Sequence, residues 1–81
     1  MNTLYNLPVN ILSVGFGRDL RATPRTMEYD GRYITFVDNG VQTTIHSGEK
    51  TARIVTLSDG HQTYRLRSDN RGGIWTLLSI A

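Results

Sequence analysis

The segment TMEYDGRYITFVDNGVQTTIH, residues 26–46, decides the fold. Two turn signals, Asp30-Gly31 and Asn39-Gly40, cut it into short runs rich in Thr, Val, Ile and aromatic residues. Gly supplies the positive φ that two-residue hairpin turns need, and Asp or Asn tolerates it. A hairpin closed by Asp30-Gly31 sets Met27 opposite Ile34. One closed by Asn39-Gly40 sets Ile34 opposite Ile45 and Phe36 opposite Thr43. One face then collects Met27, Ile34, Phe36, Val41 and Ile45. The other carries Thr26, Glu28, Tyr33, Thr35, Thr44 and His46. A one-residue slip would exchange the faces, so two turns that agree on one register point to a half-buried antiparallel sheet.

The pattern continues in both directions. Ser47-Gly48, Asp59-Gly60 and Gly72-Gly73 repeat the punctuation at roughly the 8–12-residue spacing of a β-meander. A two-residue turn at Asp59-Gly60 pairs Val55 with Tyr64, Leu57 with Gln62 and Arg53 with Leu66. Val55, Leu57, Tyr64 and Leu66 then point inward, joined by Trp75 and Leu77, while Ile54, Thr56, Thr63, Arg65 and Arg67 point outward. Toward the N-terminus, Leu7, Val9 and Ile11 alternate on one parity and Leu12, Val14 and Phe16 on the other. A bulge near Ile11-Leu12, or a crossing between two sheets, accounts for the switch. No helical apolar stripe of useful length appears. The expected fold is all-β: one domain over residues 1–81, a small antiparallel meander of about six strands closing into a barrel or tight sandwich.

Composition narrows the classes of function. A chain of 81 residues buries only roughly 60–65% of its unfolded surface, so its margin of stability is thin. It contains no Cys, which excludes disulfides and thiolate metal sites. Residues 1–17 carry no charge, yet Asn6, Pro8 and Asn10 interrupt the apolar run and no basic start precedes it, unlike a secretory signal. No stretch approaches the roughly 20 apolar residues of a spanning helix. A soluble cytoplasmic protein is expected.

Catalytic signatures are weak. Ser58-Asp59-Gly60-His61 holds the residue types of a hydrolase triad inside one tight turn, where Asp59 serves the turn better than a reaction. His46 and His61 with Asp38 or Glu49 lack the short spacing of a zinc site. Gly15-Phe16-Gly17 has no following helix and no P-loop lysine, and reads as a bend. The expectation is a non-enzyme without metal or cofactor.

What remains is TYRLRSDNRGGIW, residues 63–75. The net charge is +2, and eight of the nine basic residues are Arg, whose planar fork suits phosphates and carboxylates. The first functional reading is a module gripping a nucleic-acid backbone, single-stranded by preference, through Arg53, Arg65, Arg67 and Arg71, with Tyr33 as an exposed stacking ring. The second is a protein-binding module, of the inhibitor or adaptor kind that phages and plasmids carry. It would use the same arginines with Ile74 and Leu78, beside Ile54 and Ile80 on the outward face. Arg next to exposed aliphatics is interface composition. The apolar run Ile74–Ile80, read as an uncovered edge, would also invite a homodimer.

Overall fold

The computed structural model describes residues 3–16, 22–69 and 74–81. Seven strands follow one another: β1 (Thr3–Phe16), β2 (Ala22–Tyr29), β3 (Arg32–Thr35), β4 (Val41–Ser47), β5 (Lys50–Ser58), β6 (Thr63–Asp69) and β7 (Trp75–Ile80). All pairings are antiparallel, and the sheet order is β3-β2-β1-β7-β6-β5-β4. The sheet is all-β as the sequence implies, but it has seven strands and does not close, because β3 and β4 stand at its two edges. No helix among the described residues is long and apolar enough to cross a membrane.

The Asp30-Gly31 hairpin forms as read. Both turn residues take positive φ, 53° and 74°, the pattern of a type I′ turn that follows strand twist. Met27 faces Ile34, Glu28 faces Tyr33 and Thr26 faces Thr35. The Asn39-Gly40 hairpin does not form. After β3 the chain crosses to β5: the Phe36 amide donates to the Arg25 carbonyl and the Val37 amide to that of Ser58, each at 2.8 Å. Asp38 Oδ1 accepts the Ser58 amide at 3.0 Å, and the Arg25 guanidinium donates to Asp38 O and Asn39 Oδ1. Phe36 is buried edge-on against Tyr64, with ring centroids 5.6 Å apart. Burying that ring while satisfying the crossing backbone outweighs the local turn preference. Consequently β4 leaves the face assigned to it, and Val41 and Ile45 are exposed instead of packing with Met27, Ile34 and Phe36.

The core lies on one face of the folded sheet: Met27, Phe36, Val55, Leu57, Tyr64, Leu66, Trp75 and Leu77 form one buried cluster. The inward set around β5–β7 is therefore as the alternation implies, although the pairing differs. Val55 faces Leu66 and Leu57 faces Tyr64, two residues from the register of a tight Asp59-Gly60 turn. Asp59 is the reason. Its Oδ1 accepts the amides of His61 and Gln62 at 2.8 and 2.7 Å, and Ser58 Oγ accepts that of Gly60, which builds a four-residue loop. Ser58 accordingly pairs with Thr63, not His61. A shift of two leaves every side chain on its original face.

Asp59 also accepts the Tyr64 hydroxyl at Oδ2, at 2.9 Å. The Gln62 amide above all, then that of His61 and the Tyr64 hydroxyl, holds its carboxyl below the usual range against an opposing burial effect. Burial and the Asp59 acceptor push Tyr64 up to about 12. A depressed carboxylate stabilises the fold above its unfolded pKa, and that contribution is lost as pH falls through the folded value. Thermal unfolding should thus show a stability loss below pH ~4 that is shallower in Asp59→Asn. Equal acid slopes for the two proteins would remove Asp59 from that role.

β1 is the hinge of the sheet. Residues 3–9 pair with β7 and residues 10–16 with β2, and the β2 ladder is irregular on both sides of Ser13, which pairs with Thr26. Val9 and Ile11 pack on the core while Leu12, Val14 and Phe16 are exposed, so the alternation runs on unbroken and the second apolar set faces outward instead of joining the core. Gly15 is a ladder residue opposite Thr23, not a bend. A Cβ there would lie 2.9 Å from Arg25 Cδ, so the missing side chain lets Arg25 pass. Gly17 lies outside the described residues.

Candidate protein-binding face

The bend at β1 lays the start of β2 across the inner side of β4 and β5, and this decides the fate of Arg53. Its guanidinium donates to the Ala22 carbonyl at 3.1 Å and to Gln42 Oε1 at 2.7 Å. It also sits 5.7 Å from the centre of the Trp75 ring. Gln42 in turn donates to Thr23 Oγ1 at 3.2 Å. Arg53 is therefore an internal tie between the two arms of the sheet and not part of an outward arginine row. Replacing Arg53 by Ala strips partly buried acceptors of their donor, and should lower unfolding free energy by about 1–3 kcal/mol. Chemical denaturation checks this, and a loss under half of that range would make the tie incidental.

Arg65 and Arg67 do share the outer face, roughly 7 Å apart along β6. Thr56 and Ser79 flank Arg65 across the ladder, and Ile54 and Thr76 flank Arg67. Arg65 is exposed and Arg67 half-buried. Ile54, Thr76 and Ser79 are buried beside these long stems while standing outside the core cluster. That is the expected result when arginine methylenes lie along a sheet; the Arg67 Nε is itself buried.

The other candidates disperse. Tyr33 is highly exposed but stands on β3, the far edge of the sheet, away from both arginines. Arg71 lies outside the described residues. Ile74 is exposed just before β7. Leu78 is half-buried at the register shift, where Arg65 pairs with Ser79 and Leu66 with Leu77. This extra residue reverses the alternation, so Ile80 packs on the core instead of facing outward. β7 is paired on both sides, with β1 and β6, and so is not the uncovered edge its apolar sequence implied.

Two aliphatics missing from the sequence-based site complete the face. Thr43 pairs with Ile54, Val41 with Thr56 and Ile45 with Ala52, which extends the outer rows from β6 through β5 to β4. Val41 is 72% and Ile45 48% exposed. The signal was the Ser47-Gly48 turn: its pairing of Ser47 with Lys50 assigns both residues to the outward parity of β5.

A polar cleft of about 330 Å³ lies among Tyr5, Tyr29, Asp30, Arg32, Gln62 and Tyr64. Its hydroxyls are engaged internally. Tyr64 donates to Asp59, and the Tyr5 hydrogen bond raises the Tyr29 hydroxyl above its ordinary value. No protein-family model, curated protein or solved structure matches this chain.

Proposed function

We propose that this chain is a non-catalytic protein-binding module whose outer β4–β5–β6 face docks a partner protein carrying carboxylates among apolar side chains. The observation that carries this reading is the exposure of Val41 and Ile45 on the face that also presents Arg65. Exposed aliphatics grouped together mark interaction surfaces more than solvated ones. Arginine at their margin adds a fork that recognises carboxylates with two parallel bonds. The partner's carboxylate would meet Arg65, while its apolar groups would cover Val41 and Ile45.

The arginine pair alone also suits a phosphate backbone. Against that reading, Arg53 serves inside, and Tyr33 lies on the opposite edge of the sheet. The face therefore offers no described aromatic platform of the kind that single-strand binders use for stacking.

The test is affinity capture with quantitative mass spectrometry, comparing wild type with Arg65→Ala, Val41→Ser and Tyr33→Ala. The expected result is a partner retained by wild type and Tyr33→Ala but depleted about tenfold or more by the first two, as loss of a charged interfacial bond implies. In parallel, single-stranded oligonucleotides are titrated across salt. Binding with a slope of roughly −0.7 per phosphate that Arg65→Ala reduces would move the face to nucleic acid and overturn the protein reading.

A further inference from the structure

We infer that the edge of β4, which pairs with no second strand among the described residues, is a self-pairing surface, at which a second copy of this chain adds its own β4 antiparallel and extends the sheet across a two-fold axis. This goes beyond partner docking, which uses the face of β4; self-pairing uses its edge.

The two edges of the sheet are treated differently by the sequence. β3 has four residues, begins with Arg32 and leads directly into the buried Phe36 crossing. Shortness and charge are devices that keep an edge from pairing. β4, Val41-Gln42-Thr43-Thr44-Ile45-His46-Ser47, has seven residues with no Lys, Arg, Asp, Glu or Pro. Its ladder to β5 runs through seven consecutive pairs without a bulge. Val41 and residues 43–46 are exposed. Nothing in the strand blunts its edge.

Backbone alternation fixes which groups are open. The two-residue turn Gly48-Glu49 makes Ser47 and Lys50 a hydrogen-bonded pair. By the period of two, Val41, Thr43 and Ile45 also turn their amides and carbonyls toward β5. Gln42, Thr44 and His46 turn theirs outward. An antiparallel copy overlapped end to end sets Val41 opposite Ser47, Gln42 opposite His46, Thr43 opposite Ile45 and Thr44 opposite itself. The outward-bonding residues then meet one another and form three reciprocal backbone pairs.

A two-fold axis makes each residue near it meet its own kind, so any charge there would oppose a like charge. β4 supplies Thr against Thr at the axis and Thr against Ile beside it, with no charge to repel. Residues directly opposite share a face, so the outer faces of the two copies join into one surface. The β6 strands stay two strands from the axis in each copy, roughly 24 Å apart across five inter-strand spacings.

The chain contains no Cys, which permits a direct test. In Thr44→Cys the two sulfur-bearing residues face each other at a Cα separation of roughly 5.5 Å, within disulfide reach. The expected result is a dimer on a non-reducing gel under mild oxidation at micromolar protein, formed at least tenfold faster than from Tyr33→Cys on the other edge. Light scattering should show wild-type mass rising with concentration toward two chains. The double variant Thr43→Lys, Ile45→Lys sets ammonium against ammonium across the axis and should stay monomeric, with wild-type circular dichroism confirming its fold. Equal cross-linking at the two edges, or a constant single-chain mass up to millimolar protein, overturns the inference.

Discussion

Replacing Leu66 by Ala is expected to destabilise the fold by about 2–5 kcal/mol, the range for deleting a fully buried aliphatic side chain. Leu66 is completely buried at the middle of β6, paired with Val55 on one side and Leu77 on the other. Both neighbours are equally buried, and as ladder residues they cannot move inward without disturbing two other strands. The cavity therefore stays largely open, which favours the upper half of the range. Domains of this size hold about 5–15 kcal/mol in total, so this one change consumes a large part of the margin. Urea denaturation followed by Trp75 fluorescence reads it as a lower midpoint. Val41→Ala, at a site 72% exposed, should shift stability by no more than about 0.5 kcal/mol. A Leu66→Ala loss below about 1 kcal/mol would mean the sheet relaxes around the gap and the core is not close-packed.

The second large effect is expected at Gly40, where the crossing segment enters β4. Its φ is 75°, a conformation that costs a side-chain-bearing residue roughly 1–2 kcal/mol. Space is also lacking: a Cβ would lie 2.7 Å from Leu57 Cδ2 and 2.9 Å from the Thr56 carbonyl oxygen. The leucine methyl can rotate away, but the carbonyl belongs to the β5 backbone. Overpacking adds about 1–3 kcal/mol. Gly40→Ala should thus lose about 2–4 kcal/mol, the sum of moderate values of these two costs. Gly31→Ala isolates the conformational part. It has φ 74° and nothing within 4 Å of the added carbon, so it should lose only about 1 kcal/mol. Equal losses at the two glycines would show that contact with β5 contributes nothing at position 40.

Position 40 is also where the local turn preference yields to tertiary packing. Asn39-Gly40 has the composition of a hairpin turn, and its glycine does take a positive φ. What the local signal lacks is knowledge of Phe36 and Asp38. One buries a ring against Tyr64, and the other caps the Ser58 amide, so the chain is drawn across the sheet to β5. The face of β4 inverted as a result, and the site changed with it. Val41 and Ile45 moved from the expected core to the surface beside Arg65, while Arg53 moved from the expected surface to an internal tie. The Asp59 loop differs from a two-residue turn by a shift of two, which preserves faces, whereas the extra residue at Leu78 shifts β7 by one and turns Ile80 onto the core.

By itself the sequence determined the strand class, the two-residue turn at Asp30-Gly31, and the inward set Val55, Leu57, Tyr64, Leu66, Trp75 and Leu77, while the Gly72-Gly73 turn lies outside the described residues. Each follows from φ preferences or from the period of two, which are local and act over a few residues. Only the tertiary structure decided which strands are edges, that the sheet stays open, and which arginines and aliphatics share a face. Those depend on where Phe36 and Arg53 find partners, 28 and 31 residues away at Tyr64 and Ala22. A contact of that span is set by the packing of the whole chain, and no spacing within a single strand encodes it.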